Sequence, residues 1–151
     1  MRIYLPASLD QLDPAAGPLA ARRAHAVTPA LRAMFPDEDD EGLEYAAQLA
    51  AADDSLELLG GAPGAPQLRL VVSVDVADGA VLAVADGDDV PSAVDLTREV
   101  PQSDVICVHV DEPGAAPDVV LAAAGDEAAV DRLDERDLLW YDASELAAIP
   151  R

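Results

Sequence analysis

The chain contains no lysine, no asparagine and a single cysteine, Cys107. One cysteine forbids an intramolecular disulfide, which excludes a secreted disulfide scaffold and points to a reducing compartment. Without lysine there is neither a P-loop nor a Schiff-base lysine, and no G-x-G-x-x-G or G-x-S-x-G pattern occurs. Aromatic residues are also scarce, at one Trp, three Tyr and one Phe. No apolar run reaches the roughly 18 residues of a membrane span. The amino terminus turns polar by Ser8, too early for the apolar stretch of a signal peptide. A cytoplasmic protein is expected from these absences.

What is present pulls in two directions: 51% of residues are hydrophobic, yet the formal charge is −21. The apolar share supports a packed core, and 151 residues are one domain's length, so 1–151 reads as a single globular domain. Thirty acids against nine arginines repel phosphate backbones and anionic lipids. Ordinary nucleic-acid binding and membrane docking are therefore excluded. The acidity itself admits three readings: solubility for an apolar chain, life in a high-salt cytoplasm, or attraction of a basic partner, including mimicry of nucleic acid.

Residues 2–5 suggest a strand that Pro6 ends, and Ser8 opens a brief helix stopped by Pro14. Residues 25–28, ahead of Pro29, read as a short strand, because a residue before proline avoids the helical region. Pro29 can open a helical turn through Phe35. Tyr45, Leu49, Ala52, Leu56 and Leu59 recur at steps of four and three, predicting the buried stripe of a long helix over 43–59. Gly60 and Gly61 end it. Alternation over 68–76 predicts a strand with one buried face. Asp78-Gly79 predicts a hairpin turn into a partner strand at 80–85, followed by an acidic loop at 86–91. Residues 94–100 read as an edge strand, 105–110 as a second strong strand and 138–141 as a last one, with helices at 117–124 and 126–136. Ser144 can cap a final turn. The fold class is α+β: a mixed sheet with helices on one face, and a ferredoxin-like β-α-β-β-α-β order as its simplest form. An open α/β sheet is the alternative if 25–28 is a parallel strand.

Asp37, Asp39, Glu41 and Gly42 imitate the start of a calcium loop, but its twelfth position is Gln48, which cannot supply the bidentate carboxylate. Asp86, Asp88 and Asp89 read as a solvated turn. Zinc needs three or four protein ligands, whereas the chain has two histidines and one cysteine. No metal, cofactor or catalytic residue is assigned on these grounds. His109 and Asp111, two apart at a strand end, share a face, and a histidine beside a carboxylate is a common acid–base or ligand-binding element. With His25 and Glu44 they form the candidate ligand-binding set. Cys107 lies two residues before His109, about 7 Å away on one strand face, too far for direct proton transfer. Trp140 and Tyr141 point to opposite faces of a strand, which makes them candidate interface residues.

At 2–7, 25–32, 43–47, 109–111 and 138–141 the chain resembles a family of small, acidic, uncharacterised actinobacterial proteins, a domain of unknown function. The likeness spans nearly the whole length and implies one domain and a cytoplasmic home. It implies no activity, cofactor or catalytic residue. The expectation is therefore a non-enzymatic binding or regulatory domain acting through protein contacts, with an unknown partner or as a homodimer. The alternative is a small enzyme or ligand binder built around His109 and Asp111.

Overall fold

The computed structural model describes residues 1–84 and 90–151. One seven-stranded sheet organises the chain. Its strands are β1 (Arg2–Ala7), β2 (Arg23–His25), β3 (Leu70–Asp75), β4 (Val81–Ala83), β5 (Ala93–Leu96), β6 (Val105–Val110) and β7 (Leu139–Asp142). The spatial order is β4-β5-β2-β1-β3-β6-β7 and every pair is antiparallel. The sheet is thus antiparallel rather than mixed, and the class is α+β. The ferredoxin-like order is not seen: β1 and β3, joined through a long helix, are direct antiparallel neighbours. The open α/β alternative also falls, because the strand at 23–25 runs antiparallel to β1.

The helices are α1 (Pro29–Met34), α2 (Asp40–Gly60), α3 (Ala116–Ala123) and α4 (Glu127–Asp134). Thr28 caps α1, its hydroxyl accepting from the Leu31 N–H at 3.0 Å, while Asp39 caps α2 through the Gly42 N–H at 2.9 Å. Each cap satisfies one of the four backbone donors that open a helix. α2 lies mainly on β1, with β2 and β3 beside it, and carries α3, on which α4 packs. The opposite face of the sheet packs Ile3, Leu5, Leu70, Val72, Val108 and Val110 beneath short 3-10 turns and the C-terminal segment, through Leu9, Leu12, Leu19 and Ile149. Each such side chain contributes about 1.5–3 kcal/mol on burial.

Several expectations change for identifiable reasons. Pro6 does not end β1. Its carbonyl is taken by the Arg22 guanidinium at 2.9 Å, and β2 pairs with β1 only at Tyr4↔His25, so the missing N–H costs no ladder bond. β3 is buried on both faces rather than one, because α2 covers the side opposite the main core. β4 pairs with β5, not β3, so no hairpin forms at Asp78-Gly79, and β5 is interior rather than an edge. The final turn, Ala143–Ala148, is capped by Asp142, whose carboxylate accepts the Ser144 N–H at 2.9 Å. The acidic turn at 86–89 and the end of the 80–85 strand lie outside the described residues.

The largest change concerns α2. Its buried face is Leu43, Ala47, Ala51, Ala52, Ser55 and Leu59, whereas Tyr45 and Leu49 remain 54% and 44% exposed. Small residues every four positions let the helix axis come close to the sheet. Ser55 exploits that approach: its hydroxyl donates to the Ala7 carbonyl at 2.8 Å and accepts from the Leu70 N–H at 3.0 Å, tying the helix to two strands. With the alanines underneath, the larger residues of the helix point sideways along the sheet.

Candidate functional site

Because α2 sits on β1 and its neighbours, it does not cover the same face of β6 and β7. Between the helix flank and those strands runs a groove of two adjoining hollows, about 430 and 610 Å³, which share Tyr45, Gln48 and His109. The floor comes from strand pairing. Tyr4 lies opposite Ser73, Ser73 opposite Cys107, and His109 opposite Trp140. All point to the α2 side by the two-residue alternation of the strands. Trp140 closes the outer wall and is 57% exposed, while Tyr45 and Leu49 form the helix wall.

Two floor atoms lack partners among the described residues: Ser73 Oγ, on a residue only 1% exposed, and His109 Nδ1. A buried polar atom without a hydrogen bond costs about 1–3 kcal/mol, and both atoms belong to residues that line the groove. Burial also pushes the His109 imidazole below its ordinary pKa of 6.5, so the ring is neutral at pH 7 and offers one donor and one acceptor nitrogen. The Tyr4 phenol is pushed up to about 12, first by burial and next by the nearby Glu44 carboxylate. Asp53, at the other hollow, is raised by burial and by its proximity to Asp134.

Of the residues singled out in the sequence, His109, Glu44 and Trp140 meet in this groove. His25 does not reach it. It is fully buried, with Nδ1 2.8 Å from Ser92 Oγ and Nε2 2.8 Å from Asp54 Oδ2, and Asp54 also lies 3.3 Å from Arg23 Nε. β2 and β6 are three strand spacings apart, about 14 Å, so the two histidines hold separate positions. Asp111 does not orient His109. Its carboxylate receives Arg69 Nε and Nη2, each at 2.9 Å, and the Arg69 backbone N–H at 2.9 Å. This ion pair is buried on both sides, and Arg69 Nη2 also donates to the Leu133 carbonyl at 3.3 Å, which fastens α4 to the strands. Tyr141 faces the opposite side of β7 and packs against the main core.

Ser73 and Tyr45 were missed as groove residues. Ser73 carried a signal, being the one hydroxyl in the strand Leu-Val-Val-Ser-Val-Asp. Tyr45 carried none, since hydrophobic spacing alone places it in the buried stripe. Among the described residues no group of three or more His, Cys, Asp or Glu is arranged to hold a metal ion. No nucleophile–base hydrogen bond joins Cys107, Ser73 and His109 among those residues. No helix among the described residues is long and apolar enough to cross a membrane.

A family model described as a family of unknown function, DUF6912, matches residues 1–149. No curated protein and no solved structure matches the chain.

Proposed function

The chain belongs to the family of unknown function DUF6912, and we propose that it is a non-enzymatic binding domain whose working surface is the groove between α2 and β6–β7. The observation that carries this reading is that three exposed large side chains, Tyr45, Leu49 and Trp140, line one groove whose floor holds two polar atoms unpartnered among the described residues, Ser73 Oγ and His109 Nδ1. Aromatic anchors around a pocket with a few convergent polar groups are the physical form of a recognition site. The groove is long and open, which suits a segment of another protein better than an enclosed metabolite.

A random-peptide display selection tests this reading. Selection on the native chain, with counter-selection on Trp140→Ala and His109→Ala, is expected to enrich peptides that both variants lose. Enrichment that survives in both variants, or none at all, overturns it.

A second reading, a small enzyme or ligand binder around His109 and Asp111, is favoured by one observation, the neutral imidazole with an unpartnered nitrogen. Against it weigh the commitment of Asp111 to Arg69 and, among the described residues, the lack of any partner at His109 Nδ1 that would orient the ring for proton transfer. Loss of a defined turnover in His109→Gln, with peptide binding unchanged, would favour this reading over the first.

A further inference from the structure

We infer that the groove takes an extended, basic segment of another protein, whose lysine or arginine side chains lie against carboxylates at its two ends while its middle rests on Trp140, Tyr45 and Leu49. This rests on the reading of the groove as the binding surface and adds the chemistry of the occupant.

Charge is the first argument. Glu41 and Glu44 stand at one end of the groove, and Asp53, Asp134 and Asp137 at the other. Among the described residues none of these carboxylates forms an ion pair, and the arginines that reach the groove are already engaged. Arg2 binds Asp75 through two bonds of 2.8 and 3.2 Å, Arg69 binds Asp111, and Arg136 lies 2.5 Å from Glu112 and 3.8 Å from Asp118. Among the described residues the groove therefore has more carboxylates than cations, and each of its three arginines is paired with a carboxylate outside this set. Burial is the first cause of the upward shifts of Tyr4 and Asp53, and a neighbouring carboxylate is the second, Glu44 at one end and Asp134 at the other.

Acidic residues alone would not make a site. The floor supplies the independent observation: Ser73, almost fully buried, and His109 line the groove, and among the described residues Ser73 Oγ and His109 Nδ1 have no hydrogen-bond partner. They can meet polar groups of a ligand, which the solvated carboxylates at a bare acidic surface do not require. The aromatic wall adds to this, since a cation over the face of Trp or Tyr is attracted by the ring's quadrupole.

Length selects the kind of occupant. The groove follows α2 from Asp39 to Asp53, about 21 Å at 1.5 Å per residue. An extended chain of about six residues covers that span at roughly 3.3 Å each. A free amine covers one end only. A second copy of this chain, itself at −21, would bring like charge to the groove.

The chain's sole tryptophan is Trp140, so its emission reports on the groove directly. The full chain is titrated with acetyl-Lys-Arg-Leu-Val-Arg-Lys-amide, with the same peptide carrying Gln and Ser, or Glu and Asp, at its charged positions, and with spermine. The basic peptide is expected to shift the emission saturably and to bind about tenfold tighter than the uncharged one. The double variant Glu44→Gln, Asp137→Asn is expected to weaken it about fivefold, the sum of two exposed ion pairs. Ser73→Ala is expected to weaken both the basic and the uncharged peptide. A thermal melt of each variant close to the native one shows that the fold is intact.

Equal binding of the uncharged or acidic peptide overturns the basic occupant while leaving the groove reading standing. Spermine matching the peptide overturns the protein segment in favour of a free amine. A concentration-dependent emission shift without any peptide points instead to a second copy and overturns the inference. No response to any peptide overturns it as well, and the display selection then decides the groove reading by itself.

Discussion

Arg69 and Asp111 form an ion pair buried on both sides. Its two parallel N–H···O bonds fix the guanidinium in plane with the carboxylate. Asp111→Ala leaves a buried, uncompensated guanidinium and is expected to cost about 3–5 kcal/mol in a denaturant melt. A loss below about 1 kcal/mol, the range of an exposed pair, would contradict its burial. The same pair explains why one sequence reading failed. His109 and Asp111 are close in sequence and suggest a dyad, but the carboxylate is claimed by an arginine 42 positions upstream, a partner that no local pattern reveals. Ser73 was legible as a serine among valines. The unpartnered state of its hydroxyl was not, because it depends on which strands flank β3.

His109 also gives a pH dependence. Its folded pKa lies below 6.5 because burial disfavours the charged ring. The unfolded chain therefore binds the proton first as pH falls, and stability drops from about pH 6.5 downward until the folded pKa is passed. Asp53 acts in the opposite sense at lower pH: its raised folded pKa means that protonation relieves the folded state. The difference between native and His109→Gln melting temperatures isolates the histidine. The native chain should lose more stability than the variant between pH 7 and 5.5, and parallel curves would contradict a desolvated imidazole.

At the scale of elements, α2 shows where pattern reading succeeds and where it misleads. The existence of the helix, its Gly60 and Gly61 end and its acidic start were all legible, because they depend on local backbone chemistry. Its buried face was misplaced by part of a turn. Two apolar stripes run along it, one of large residues and one of alanines, and periodicity favours the large ones. The sheet prefers the small ones, since β1 and β3 already fill the space beneath with Tyr4 and Val71. Ala51→Leu should therefore force α2 away from the sheet, costing about 1–3 kcal/mol, while Leu49→Ala should cost little. Chemical denaturation of both variants checks this, and the reverse ranking would mean the stripe first read from the spacing is the buried one. Ser55→Ala should cost about 1–3 kcal/mol, because it strips the Leu70 N–H of its acceptor. The strands were legible as segments, but their partners were not. Pairing β4 with β5 and closing the far face with 3-10 turns depend on contacts distant in sequence.

For the whole molecule, charge governs stability and association together. Thirty acids on a compact body repel one another, and most of the ion pairs that offset them are exposed. Raising the salt so that the screening length falls from about 10 Å to about 3 Å should increase the melting temperature. A decrease would mean that the exposed ion pairs outweigh the repulsion. The same repulsion opposes self-association through the groove and favours a partner of opposite charge. Composition alone made that sign legible. The place where it acts required the fold, because Glu44, Asp53 and Asp137 come to line one groove only when α2 and the segment after α4 are set beside β6.

The most direct measurement is a map of backbone amide chemical shifts as the basic peptide is added to isotope-labelled protein. Perturbations confined to the α2 flank at 39–53, to 73, 107–109 and 133–140 are the expected result. Shifts centred on the opposite face, around Leu9, Leu12 and Ile149, or scattered evenly over the acidic surface, would contradict a dedicated groove.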